Sequence, residues 1–145
     1  MKLALYGRPL SEAEARQFIN DDFAWNAADV AHLGVLCRAD DDTVIGFAGL
    51  LPCAYFSEEL ELGYVLAGEA HRQGYATEIG KELVDLGFTE FRNDRLLALC
   101  EPRNHDSAHV LDKLGFLNIK EIPTADRGQR AVYELRRSRW LELRE

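Results

Sequence analysis

The segment Leu96-Leu97-Ala98-Leu99-Cys100 is an unbroken apolar run. A strand with one wet face alternates polar and apolar residues. A strand without alternation is covered on both faces, as in the middle of a sheet. The chain must therefore supply a layer on each side of this segment. Its 145 residues are enough to do so in one domain. A single domain over 1–145 is expected, since no internal repeat, low-complexity tract or Pro/Gly/Ser-rich linker divides the sequence.

Around that central strand the other elements follow from pattern. Ser11-Glu12-Ala13-Glu14 has the form of a capping box, so a helix runs to about Asn20. His32 to Ala39, Val44 to Leu51 and Glu59 to Leu66 read as three strands joined by polar turns, an antiparallel meander. From Thr77 to Phe91, apolar Ile79, Leu83, Leu86 and Phe91 recur at helical spacing with charged residues between. Arg95 to Glu101 is the buried strand. Ser107 to Leu114 is a short helix stopped by Gly115. Phe116 to Ile122 and Arg130 to Arg137 close the chain as a strand pair around Asp126-Arg127-Gly128. The order predicts an α/β (α+β) domain, a mixed sheet with helices on both faces.

The turn Glu69 to Thr77 links the third strand to the long helix. Gly74 allows close approach and unusual dihedrals. The first turn of the helix offers unpaired N–H groups and a partial positive charge, a good setting for phosphate. His71 and Arg72 add local positive charge to an acidic chain, Ala76 is small, and Thr77 can cap. An anion-binding loop and a plain strand-to-helix turn both fit these residues.

His71-Arg72-Gln73-Gly74-Tyr75-Ala76 resembles the pyrophosphate-binding signature R/Q-x-x-G-x-G/A of the GNAT superfamily, with His71 in place of Arg or Gln. Gly74-Tyr75-Ala76-Thr77-Glu78 and Glu61-Leu62-Gly63-Tyr64 are similar to the G-Y-A-T-E and E-I-G-Y runs of its branch of ribosomal-protein N-terminal (alanine) acetyltransferases. Asn104 to Ser107 and Lys113 to Phe116 resemble that branch's N-x-x-S and K-L-G-F blocks. The family opens on a strand that is short or atypical here, with only Lys2 to Tyr6 ahead of the first helix.

The resemblance implies a GNAT-like, mostly antiparallel sheet in which the strands Glu61–Leu66 and Arg95–Glu101 run parallel and splay. It implies acetyl-CoA as cosubstrate. Pantetheine would pair with backbone of Val65 and Leu66, and the diphosphate would sit on the turn Arg72, Gln73, Gly74, Tyr75, Ala76 and Thr77. Asn104 would hold the pantetheine amide, or else start a helix through an Asx turn.

Acetyl transfer needs a neutral amine and gains from a general base. The thioester oxygen wants an N–H donor, here a backbone amide near Val65. Glu61 is the first choice of base, against a solvated strand carboxylate, and Glu101 is the second. Glu78, in a helix first turn, reads as structural. The tyrosine that many GNAT enzymes use as acid is replaced by Leu111. Ser107 either donates to the leaving thiolate or caps its helix. The resemblance implies a small-molecule, peptide or protein amine as acceptor. The competing readings are an acetyl-CoA-binding sensor without catalysis and an interaction domain with an empty site.

Cys37, Cys53 and Cys100 have apolar neighbours and no C-x-x-C spacing, which suits buried, reduced thiols in a cytoplasmic protein. His105 and His109 lack the companions of a zinc site, so no metal is expected. The net charge of −8 speaks against nucleic-acid binding. No apolar run approaches the ~20 residues of a membrane span, and no signal peptide is read at Met1 to Leu10. Arg136-Arg137-Ser138-Arg139-Trp140 is expected as a solvated strand end with Trp140 packed back on the domain. Monomer and homodimer are both compatible with the sequence.

Overall fold

The computed structural model describes residues 11–22 and 33–145. The opening strand expected at Lys2 to Tyr6, and His32, lie outside the described residues. Helix α1, Glu12–Asp22, begins with the capping box. The Ser11 N–H donates to Glu14 Oε2 (2.8 Å), and the Glu14 N–H donates back to Ser11 Oγ (3.2 Å).

Strands β1 (Leu33–Cys37), β2 (Val44–Pro52) and β3 (Leu60–Leu66) form the antiparallel meander. A 3₁₀ turn, Gly68–Ala70, leads to α2 (Tyr75–Glu90). Then come β4 (Arg95–Cys100), α3 (His105–Leu114), β5 (Leu117–Thr124), β6 (Gly128–Arg136) and α4 (Arg137–Leu143). The six strands lie in the order β1-β2-β3-β4-β6-β5, with β3 and β4 parallel and every other pair antiparallel.

The apolar run of β4 is covered on both sides. Leu96, Ala98 and Cys100 join Val84 and Phe88 of α2 and Leu111 of α3 in the main core. Leu97 faces the other way, onto Cys53 and Val132. Leu96 and Leu97 are both 0 % exposed, as the lack of alternation requires. On β3 the same two-residue period sends Leu60, Leu62 and Tyr64 toward α2 and α3, leaving Glu61, Gly63 and Val65 for the opposite face.

Two readings of the sequence need correction. Cys53 and Cys100 are buried, but Cys37 is exposed. It ends an edge strand at a register shift, where nothing covers that side of β1 among the described residues. The basic tail is a helix, α4, and not a strand end. Arg137 turns inward and donates to the carbonyls of Phe88 (2.7 Å), Phe91 (3.0 Å) and Asn93 (2.9 Å). Carbonyls at a helix C-terminus lack helical partners, so one guanidinium satisfies the end of α2. Trp140 does pack back: its ring lies 5.0 Å from that of Phe88, and its Nε1–H donates to Asp85 Oδ1 (2.8 Å).

That packing makes the tail part of the core. Trp140→Ala should lower unfolding free energy by about 3–5 kcal/mol, the usual loss for a buried aromatic, measured by urea denaturation. A loss below about 1 kcal/mol would mean that α4 is peripheral.

Candidate active site

Parallel pairing of β3 with β4 is limited to Leu60 with Leu96 and Glu61 with Leu97. Beyond these pairs β3 runs on to Leu66 against β2, and β4 runs on to Cys100 against β6. The gap between them opens into a cleft of about 1180 Å³ that reaches both faces of the sheet.

The ladder decides which backbone groups face the gap. The Ala67 N–H donates to the Ile45 carbonyl (2.7 Å), continuing the β2–β3 pairing. In an antiparallel ladder the N–H and C=O of one residue point to the same side, and the side alternates along the strand. Val65 therefore points to β2, and its carbonyl lies 2.0 Å from where a Cβ on Gly46 would sit. Only glycine admits that approach. Tyr64 and Leu66 point into the gap. This corrects the expectation for Val65: it lines the cleft, but its backbone N–H and C=O face β2 and not the gap. The Leu66 carbonyl already accepts from His71 Nε2 (2.9 Å), a contact that the sequence did not suggest.

One end of the cleft is the turn before α2. Gly74 is the N-cap, at φ 81°, and a Cβ there would meet nothing within 4 Å. Arg72 is also left-handed, at φ 61°. The first helical bond runs from the Glu78 N–H to the Gly74 carbonyl (3.0 Å). The N–H groups of Tyr75, Ala76 and Thr77 thus precede the helical ladder, and no side chain caps them. Arg72, Gly74, Tyr75, Ala76 and Thr77 line the cleft. Gln73 is turned back, its Nε2 donating to the Glu69 carbonyl (2.7 Å). An open glycine cap, free helical amides and an unfilled strand gap fit a diphosphate joined to an amide-bearing arm.

At the other end stands Glu61, 8 % exposed, so it is not a solvated strand carboxylate. Arg127, in the β5–β6 turn, donates from Nη2 to Glu61 Oε1 (2.9 Å). The Arg127 guanidinium also lies over the Tyr55 ring at 5.3 Å, and the Tyr55 hydroxyl bonds to Asp126. Burial pushes the Glu61 carboxyl above its usual range; Arg127 and Arg130 pull it down, and Asp126 pushes it up. Arg127 was not singled out in the sequence, because a turn residue carries no periodic signal. Glu101 pairs instead with Arg103 (2.7 Å) and does not line the cleft, nor does Glu78.

On the α3 side, Asn104 caps the helix: its Oδ1 accepts from the Ser107 N–H (3.2 Å). The Asx-turn geometry is therefore present, and the amide nitrogen of Asn104 is left over for the cleft, which Asn104 also lines. Ser107 Oγ is 3.0 Å from the Tyr64 hydroxyl. Cys100 lines the same wall with its thiol pushed by burial to about 11, so it is neutral near pH 7.

The Glu61 shift has a sign that can be measured. Because its folded-state pKa lies above the ordinary 4.5, folding favours the protonated carboxyl. That stabilisation is complete below the unfolded pKa and is lost as pH rises through the folded one. Glu61→Gln does not ionise. Its stability relative to wild type should therefore climb with pH across this window and then level off, by denaturation at a series of pH values. A change of the opposite sign would show that the Arg127 pair outweighs burial.

Residues 1–117 match the family described as the acetyltransferase (GNAT) domain. The uncharacterized N-acetyltransferase YnaD of Bacillus subtilis is 31% identical over 106 residues, which are 72% of this chain and 59% of that protein. The chain thus spans about three-fifths of that relative's length. The fold is similar to ribosomal-protein-S5-alanine acetyltransferase from Vibrio fischeri (TM-score 0.66, 19% identity, 88% of this chain and 69% of that one). It is also similar to spermidine N-acetyltransferase from Vibrio cholerae in complex with CoA and spermine (TM-score 0.69, 17% identity, 92% of this chain and 79% of that one). Family match, sheet order and splayed parallel pair agree: the chain belongs to the GNAT acetyltransferase family.

Proposed function

We propose that this protein transfers the acetyl group of acetyl-CoA to a primary amine by direct attack. The observation that carries the reading is the course of the cleft: it runs from the open first turn of α2, through the gap between β3 and β4, to the buried carboxyl of Glu61.

In this reading Arg72 and the amides of Tyr75 to Thr77 receive the diphosphate. The gap-facing backbone of Leu66 pairs with the pantetheine arm, and the Asn104 amide nitrogen donates to it. The Leu66 or Tyr64 N–H, not that of Val65, polarises the thioester carbonyl. The acceptor, a small molecule or a peptide amine, enters from the Glu61 face, where Asp21, Phe47 and Tyr55 line the wall.

Glu61 takes the amine proton, directly or through water. A buried carboxyl is a stronger base than a solvated one, and the Arg127 contact keeps it aimed across β3. An α-amino group, near pKa 8, needs less help than a lysine amine near 10.4. The Arg127 pair also favours a second reading, an acetyl-CoA-binding sensor, because a carboxylate held by a cation is a weaker proton acceptor.

Turnover separates the two. Thiol release from acetyl-CoA, over a panel of amines, should show at least one acceptor. With that acceptor, Glu61→Gln should lower kcat by about 10²-fold and leave acetyl-CoA affinity little changed. The defect should shrink as pH rises and the amine loses its proton unaided. Acetyl-CoA binding with no turnover on any amine would favour the sensor. A wild-type rate for the variant near pH 7 would remove Glu61 as the base.

A further inference from the structure

Leu111 stands where many related enzymes carry the tyrosine that meets the departing thiolate. It is 1 % exposed and part of the core, with no polar atom to offer. A phenol reaches this wall from another element. Tyr64 projects from β3 onto the face packed by α2 and α3, and its hydroxyl lies 3.0 Å from Ser107 Oγ. Both residues line the cleft. Ser107 is held by its own backbone, since its N–H donates to Asn104 Oδ1 (3.2 Å).

Resting on the acetyl-CoA reading above, we propose that Tyr64 is a positioning residue for thiolate departure: its O–H donates to Ser107 Oγ, so that the Ser107 proton turns into the cleft to receive the sulfur. A phenol is the better donor of the two and an alkyl hydroxyl the better acceptor. A hydroxyl that accepts one hydrogen bond donates a stronger one. In the step itself the amine nitrogen bonds to the acetyl carbon and the C–S bond breaks with its electron pair on sulfur. The amine proton goes to Glu61. Sulfur gains a hydrogen bond from Ser107 and no proton.

Burial pushes the Tyr64 hydroxyl above its usual range, so it remains a donor throughout the working pH range. The other titratable groups that β4 and α3 bring to the cleft are Cys100 of β4, and Asp106, His109 and Lys113 of α3. Tyr64→Phe and Ser107→Ala leave all four in place.

The test reads the thiol of bound CoA and needs no acceptor. CoA is added at saturation, and thiolate absorbance is followed against pH with desulfo-CoA as the blank. In the wild type the bound thiol should ionise roughly one pH unit lower than in Tyr64→Phe, about a tenfold difference in thiolate fraction. Ser107→Ala should lose at least as much. The double variant should lose no more than Ser107→Ala, because Tyr64 acts through Ser107. CoA affinity, measured by calorimetry, should change little in Tyr64→Phe. Equal thiol ionisation in wild type and Tyr64→Phe, with CoA bound to both, overturns this assignment alone. A wild-type protein that binds no CoA overturns it together with the acetyl-CoA reading.

Discussion

Everything at the candidate site depends on β3 and β4 pairing for two residues and then parting. Each strand is held on its far side by a full antiparallel ladder, β3 to β2 and β4 to β6. Neither can swing over to close the gap without giving up that ladder. The gap therefore persists, and the backbone groups of Tyr64 and Leu66 that face it have no strand partner there. Unpaired backbone groups are costly when buried. Here they border an open cleft, and the Leu66 carbonyl takes a hydrogen bond from His71. A sheet that leaves such an edge inside the domain offers to an extended, amide-bearing ligand what an edge strand offers to a peptide.

The two faces of β3 then divide the chemistry. The even-numbered side chains meet α2 and α3, so Tyr64 joins Ser107 and Asn104 near the α3 N-terminus. The odd-numbered side chains look the other way, so Glu61 meets Arg127 and the β5–β6 turn. Burial and ion pairing act on Glu61 in opposite directions, and burial is the larger effect. The carboxyl is thereby kept from the solvated carboxylate range while staying tethered. Burial also keeps the Cys100 thiol neutral near pH 7, which suits the direct transfer proposed above.

Much of this was legible in the sequence, and the exceptions share a cause. The Leu96–Cys100 run reported its own burial, because the missing alternation is a property of the strand alone. The Ser11–Glu14 box and the glycine at position 74 were also readable, since their partners lie within a few residues. The Glu61–Arg127 pair spans 66 positions and has no local signature. Val65 and Leu66 look alike as residues; only the ladder register tells which one faces the gap. The tail misled because Arg136 to Arg139 shows no apolar stripe. Helix α4 exists through tertiary contacts, Trp140 on Phe88 and Arg137 on the end of α2, and no propensity reading contains those.

The central claim is that the gap between β3 and β4, with the turn at its end, is where CoA lies. Residue-resolved amide exchange with and without CoA tests it most directly. At CoA one hundred times its Kd, exchange at Leu66 and at Tyr75 to Thr77 should slow by about a hundredfold. Val65, already committed to β2, should change little. Protection of Val65 with Leu66 unaffected, or protection confined to residues outside the gap and the turn, would contradict the account.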